Sequence, residues 1–199
     1  MKKLGFLAMS IAVLGLHSCN NGGTQSEDQN AEVYQLSVDK SDIYWMGEYI
    51  KDGAFDHSHE GELLFNSGSI SIVDGQVVGG QFEINMNSIN EINAPFGEEQ
   101  AAKLVGHLKS EDYFHVEKFP TATIVITGSK NGNVQGTLTV RGIEVPFDIP
   151  MKVTVDEAGV VLSGGFDFDF SPFGMDGIGG EGEFVAPKVV IDVYAEFTK

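Results

Sequence analysis

Cysteine is all but absent: Cys19 is the only one among 199 residues, which excludes disulfides within the chain and dithiol redox chemistry. Basic residues are scarce as well, with 12 Lys and Arg against 29 Asp and Glu and a formal charge of −17. Neutralising a nucleic-acid backbone takes clustered bases. Beyond Lys2 and Lys3 they stand singly here, so no nucleic acid is expected as a partner. Long apolar runs are also missing: the one from Leu4 to Leu16 falls short of the ~20 residues that span a hydrocarbon core. Catalytic signatures are wanting too. The chain has no G-x-S-x-G elbow, no H-E-x-x-H, no P-loop and no G-x-G-x-x-G that opens a helix. Gly177 to Gly182 is glycine-rich, but it lies between strand-like segments and Glu181 would repel a phosphate, so it reads as a loop at a rim. No enzyme activity and no cofactor are expected.

What stands at the front is Lys2 and Lys3, the apolar run, and then His17-Ser18-Cys19. A charged n-region, a short h-region and a small residue before a cut mark an exported, processed chain. A lone cysteine directly after such a run resembles the lipobox of bacterial lipoproteins, with Leu16 and Ser18 matching and His17 in a place where a small residue is usual. The resemblance implies a signal peptide over residues 1–18 and a lipidated Cys19 as mature N-terminus. An ordinary signal peptide with Cys19 incidental is the alternative. Cleavage removes Lys2 and Lys3 and no acid, taking the formal charge from −17 to −19. Such a charge disfavours anionic surfaces, so the membrane would be held by acyl chains, at about 0.8 kcal/mol per buried CH₂. From Asn20 to Ala31 no apolar residue larger than alanine occurs, and residues 19–33 read as a flexible tether. Residues 34–199 suit one domain with its own core.

Within that domain period-two alternation dominates. Phe82, Ile84 and Met86 alternate with Glu83, Asn85 and Asn87; Val189, Ile191, Val193, Ala195 and Phe197 alternate with mostly polar neighbours; Phe166, Phe168 and Phe170 enclose Asp167 and Asp169. Turn signals such as Asp74-Gly75, Asn131-Gly132 and Arg141-Gly142 close the runs, as expected for antiparallel strands. One stretch differs: Phe96 to Lys109, with Leu104 and Leu108 on one face, predicts a short crossover helix between two strand groups. Eight or more strands in one domain make a closed barrel or a two-sheet sandwich. Gly79-Gly80, Gly164-Gly165 and Gly179-Gly180 favour the barrel, because strand glycines allow the bends of closure.

Three ordered motifs carry a resemblance. Gly79 to Ile89 (GGQFEINMNSI), Gly106 to Pro120 (GHLKSEDYFHVEKFP) and Gly136 to Gly142 (GTLTVRG) resemble the YceI-like family over the whole domain. The resemblance implies an all-β fold, an elongated lipocalin-like antiparallel β-barrel of about eight strands with one short helix. It further implies a non-enzymatic, exported protein whose interior holds a long apolar molecule, a polyisoprenoid or fatty-acid derivative. There are departures. Ser37 and Lys40 stand where the family often has Asp and His, and Asp169-Phe170 where an acid–arginine pair is usual. The segment Asp52 to Glu60 looks like an insertion.

Parity nominates Trp45, Phe82, Ile84, Met86, Phe114, Phe119, Ile124, Leu138, Phe147, Phe166 and Phe168 as interior positions, either lining a ligand cavity or packed as ordinary core. Lys109, Lys118 and Arg141 are the basic residues within the motifs and are expected to meet an anionic head group, or else to pair surface charge. His57 and His59 share one face of an extended strand and offer two imidazoles to a divalent metal; a metal-binding module or metal-dependent enzyme built on them is the alternative to lipid binding, and a solvated loop is the plainer reading. The expected partners are thus a long-chain apolar small molecule, the membrane through the N-terminal anchor, and a second copy of the chain as a candidate homodimer. The expected place is the cell envelope, facing the periplasm.

Overall fold

A computed structural model describes residues 30–175, 179–180 and 183–199. The signal segment, Cys19 and most of the tether lie outside the described residues, as do Gly177, Ile178, Glu181 and Gly182 of the glycine-rich loop. The alternating runs form strands β1 (Glu32–Leu36), β2 (Asp42–Lys51), β3 (Ala54–Val73), β4 (Gln76–Glu91), β5 (Thr121–Lys130), β6 (Asn133–Val140), β7 (Ile143–Pro150), β8 (Lys152–Asp156), β9 (Gly159–Asp169), β10 (Gly179–Gly180) and β11 (Glu183–Thr198), with one helix, α1 (Glu98–Lys109). The first strand begins ahead of the expected boundary at Tyr34, because Glu32 and Val33 pair with Ile72 and Ser71.

The strands are paired in the order β7-β6-β5-β4-β3-β1-β11-β9-β8. Two features turn this path into a ring. First, β1 and β2 lie end to end in one slot: each pairs with β3 on one side and β11 on the other. A 3₁₀ turn at Val38–Lys40 separates them. Ser41 secures that turn, its buried hydroxyl donating to the Ser37 carbonyl at 2.8 Å and accepting the Glu196 N–H at 3.0 Å. Second, the ends of the path are consecutive in the chain. Pro150 pairs with Asn133 of β6 and Lys152 pairs with Ser163 of β9, with only Met151 between. One extended segment therefore serves both edges, and the order closes as eight positions: β1/β2, β3, β4, β5, β6, β7/β8, β9 and β11. Gly164 permits the corner, since a Cβ there would stand 2.8 Å from both the Pro150 carbonyl oxygen and Met151 Sδ.

The alternating apolar residues face inward. Phe82, Ile84, Met86, Ala195 and Phe197 are buried, whereas Glu83, Asn87 and Asp192 are exposed. In β4 the rhythm breaks after Met86. Leu64 pairs with Asn85 and Glu62 with Asn90, so four residues of β4 face one of β3, a bulge that shifts parity and turns Ile89 inward. Ser88 fills the gap, its hydroxyl donating to the Asn85 carbonyl at 2.6 Å and accepting the Leu64 N–H at 2.8 Å. The helix differs from its expected role as a crossover. It joins β4 to β5, which are hydrogen-bonded neighbours, because the segment after it folds back: Tyr113 and Val116 are buried, and the Met86 N–H donates to the Pro120 carbonyl at 3.0 Å. The helix thus crosses one end of the barrel rather than linking two strand groups.

Candidate ligand site

The barrel interior is hollow in two places. One cavity of about 150 Å³ lies toward α1, and a second of about 230 Å³ lies toward the Pro150–Met151 corner. Both are walled almost wholly by carbon. They share five wall side chains, Ile124, Leu138, Phe166, Phe168 and Val193, and so form two chambers of one elongated apolar space. Of the positions nominated by parity, Trp45, Ile84, Met86 and Phe114 line the first chamber, Phe82 and Phe147 the second, and Ile124, Leu138, Phe166 and Phe168 both. Phe119 lines neither. It follows the end of α1, half-buried outside the barrel, against the His115 ring at 5.8 Å, because the 110–120 segment is a run of turns and alternation does not apply to it. Val193 of the shared wall has the same parity as Val189 and Ile191, and that signal was sufficient to find it. Leu104 and Leu108 of α1 also reach the first chamber, as their common helix face predicts.

Polar groups stand at two places on the border of this space. Asp167 and Asp169 border the second chamber beside the shared Phe166 and Phe168. The Ser171 N–H donates to Asp169 Oδ1 at 2.9 Å and holds that carboxyl below its ordinary pKa. The α1 end carries imidazoles. Trp45 of β2, Gly61 of β3 and Glu91 of β4 form one row across the sheet, and His59 stands next to Gly61 on the same face. His59 Nδ1 lies 2.5 Å from Glu91 Oε1, His57 Nδ1 lies 2.6 Å from Asp56 Oδ2, and the two Nε2 atoms are 3.0 Å apart. The Glu91 side chain is only 1% exposed. Trp45 Nε1 and Glu91 Oε2 are both buried without a hydrogen-bond partner, and each such group costs about 1–3 kcal/mol. Among the described residues no group of three or more His, Cys, Asp or Glu is arranged to hold a metal ion.

The YceI-like domain family matches residues 34–197. The chain belongs to the YceI-like family. Among solved structures, Burkholderia cenocepacia BcnA superimposes with a TM-score of 0.61 at 20% identity, over 80% of this chain and 98% of that one. A polyisoprenoid binding domain from Saccharophagus degradans, described as implicated in plant cell wall breakdown, gives 0.57 at 14% identity, over 83% of this chain and 97% of that one. At these identities the likeness is one of fold. No curated protein matches the chain.

In this YceI-like barrel the three basic motif residues lie away from both chambers. Lys109 Nζ donates to the Asn87 carbonyl at 2.7 Å, Lys118 Nζ sits 5.1 Å from the Phe119 ring centroid, and Arg141 occupies the β6–β7 turn at φ 53° beside Gly142 at φ 76°. The geometry gives each a local structural task rather than a place at the cavity. Phe170, at the position where the family often has arginine, is buried and contributes to the first chamber. Its ring packs against those of Tyr113, Phe114 and Phe168 at 5.3, 6.0 and 5.0 Å.

Burial pushes the Tyr113 phenol above its ordinary pKa. The folded chain then keeps that proton to higher pH than the unfolded chain does, so stability falls as pH rises past about 10. Tyr113→Phe is expected to reduce the loss of melting temperature between roughly pH 8 and pH 11, as read by circular dichroism; an unchanged alkaline loss would contradict it.

Proposed function

We propose that this chain binds one long-chain apolar molecule, a polyisoprenoid or fatty-acyl derivative, without transforming it. The observation that carries this reading is the pair of carbon-walled chambers joined by a shared wall. Together they reach the lower end of the ~300–1,000 Å³ typical of small-molecule sites. The elongated form suits a chain better than a compact ligand. Burying ten methylenes contributes roughly 8 kcal/mol gross before the costs of association and ordering, enough for micromolar affinity with no charged contact. Membership of the YceI-like family and the polyisoprenoid-binding description of the Saccharophagus degradans neighbour support the same class of ligand. The leader and Cys19 add the setting: a lipid-anchored, periplasm-facing carrier, buffer or sensor in the cell envelope.

Native mass spectrometry of the protein purified from its own envelope without detergent, followed by organic extraction, tests the reading. A discrete added mass that extracts as a prenyl or acyl lipid is the expected result. A clean apo mass, with no uptake of added isoprenol or fatty acid, would overturn it.

A further inference from the structure

The histidine pair at the α1 end holds an arrangement that the lipid reading does not use. Each imidazole turns its Nδ1 to a carboxylate, His57 to Asp56 and His59 to Glu91. An ionised carboxylate only accepts; opposite two such groups both Nδ1 atoms carry the ring protons, and both Nε2 atoms then present lone pairs. Those lone pairs stand 3.0 Å apart, where they repel unless a positive species lies between them.

A proton shared by the two nitrogens, or one relayed from a protonated Glu91, would make a single N–H···N hydrogen bond. Such a bond, when collinear with both ring axes, would set the ring centroids about 5.3 Å apart. The centroids are 4.7 Å apart, with the ring planes at 80°, so the rings are bent toward a common point. An ion about 2.05 Å from each nitrogen, an ordinary metal–imidazole distance, reproduces both the 3.0 Å and the 4.7 Å spacings with an N–metal–N angle of roughly 95°. That angle is near the right angle of tetragonal copper(II) and nickel(II) and away from the tetrahedral angle of zinc. An imidazole that gives its second N–H to a carboxylate is the usual outer support of a metal-binding histidine. The rings are also held from the sides, His57 stacked on Tyr49 at 4.7 Å and met edge-on by Phe96 at 4.6 Å.

We propose that His57 and His59 form a two-imidazole site for copper(II), with nickel(II) as the weaker occupant, at the α1 end of the first chamber. Among the described residues no third His, Cys, Asp or Glu completes the set, so the remaining positions of the ion are open to water or to a polar group entering the chamber that His59 lines. The proposal stands on the pair's geometry and is independent of the lipid reading.

The test titrates the metal-free full chain, purified without a histidine tag, with copper(II) chloride, and follows binding by calorimetry and electron paramagnetic resonance. One equivalent is expected to bind at micromolar or tighter affinity, with hyperfine splitting from two nitrogens that changes when the histidines are isotopically labelled. The labelling needs no variant, and so survives any folding defect. His57→Gln/His59→Gln is expected to weaken binding at least tenfold, while His115→Gln, away from both chambers, leaves it unchanged. Absence of stoichiometric binding, splitting indifferent to the histidine label, or undiminished binding by the folded double variant would each overturn the proposal.

Discussion

Gly61→Ala is expected to lower the melting temperature by roughly 6–12 °C, the equivalent of about 3 kcal/mol at 2–4 °C per kcal/mol for a domain of this size. A Cβ at residue 61 would stand 2.4 Å from Trp45 Cζ2 and closer still to the Asn90 carbonyl oxygen. Neither neighbour gives way cheaply. The carbonyl belongs to the backbone of β4, and the indole is a rigid ring that is only 8% exposed. Either the β3–β4 ladder opens locally or the indole leaves its place on the chamber wall. Trp45 is the only tryptophan in the chain, so its emission reports the second outcome while circular dichroism melting reports the first. Gly106→Ala is the control: nothing lies within 4 Å of a Cβ there, and in the helix alanine gains up to about 1 kcal/mol over glycine. A Gly61→Ala variant that melts with the parent and keeps its emission would show that β3 and β4 yield more easily than their packing implies.

Gly61 also marks where sequence reading stops. Alternation was legible wherever a strand keeps one face to the interior, and this is why Phe82, Ile84, Met86, Leu138 and Phe168 could be assigned an inward face from the chain alone. The ring itself was half legible. Gly164-Gly165 signalled a bend of closure, and the structure places Gly164 against the Pro150–Met151 corner. That one segment serves both edges follows from a change of partner at Met151, and no residue pattern announces a change of partner.

The polar end was legible as residues and not as a place. His57 and His59 are two apart on one strand, but Glu91 is 32 residues from His59 and reaches it only because the bulge at residues 86–89 reverses the parity of β4. A parity count carried through the bulge sends Glu91 outward, to solvent. The basic residues show the converse. Lys109, Lys118 and Arg141 drew notice for their charge within the motifs, yet helix-end, aromatic and turn contacts account for them. Whether inward residues fill a barrel or line it depends on the summed volumes of side chains from all eight positions, which alternation does not measure. Phe166 and Phe168 read identically in a filled core and in the wall between two chambers.

That wall is where the proposed function is most exposed to test, and Leu138→Trp is expected to divide the ligand range. Leu138 borders both chambers and pairs across the ladder with Ile124, another member of the shared wall. An indole at that position projects into the passage and leaves two short compartments in place of one long space. A ligand whose chain runs through both loses the part in one of them. If about four methylenes are expelled, at about 0.8 kcal/mol each, the loss is roughly 3 kcal/mol, or about a hundredfold in affinity. A short chain that fits one chamber keeps most of its binding. Competition of octadecanoate and of hexanoate for a bound fluorescent fatty acid measures the difference, with the expected result a large loss for the longer acid and a small one for the shorter. Equal losses for both would mean that the variant has collapsed the barrel, which its melting temperature would reveal. Unchanged octadecanoate affinity in a folded variant would mean that the chain does not pass the Leu138 wall, and the two chambers would have to be treated as separate sites.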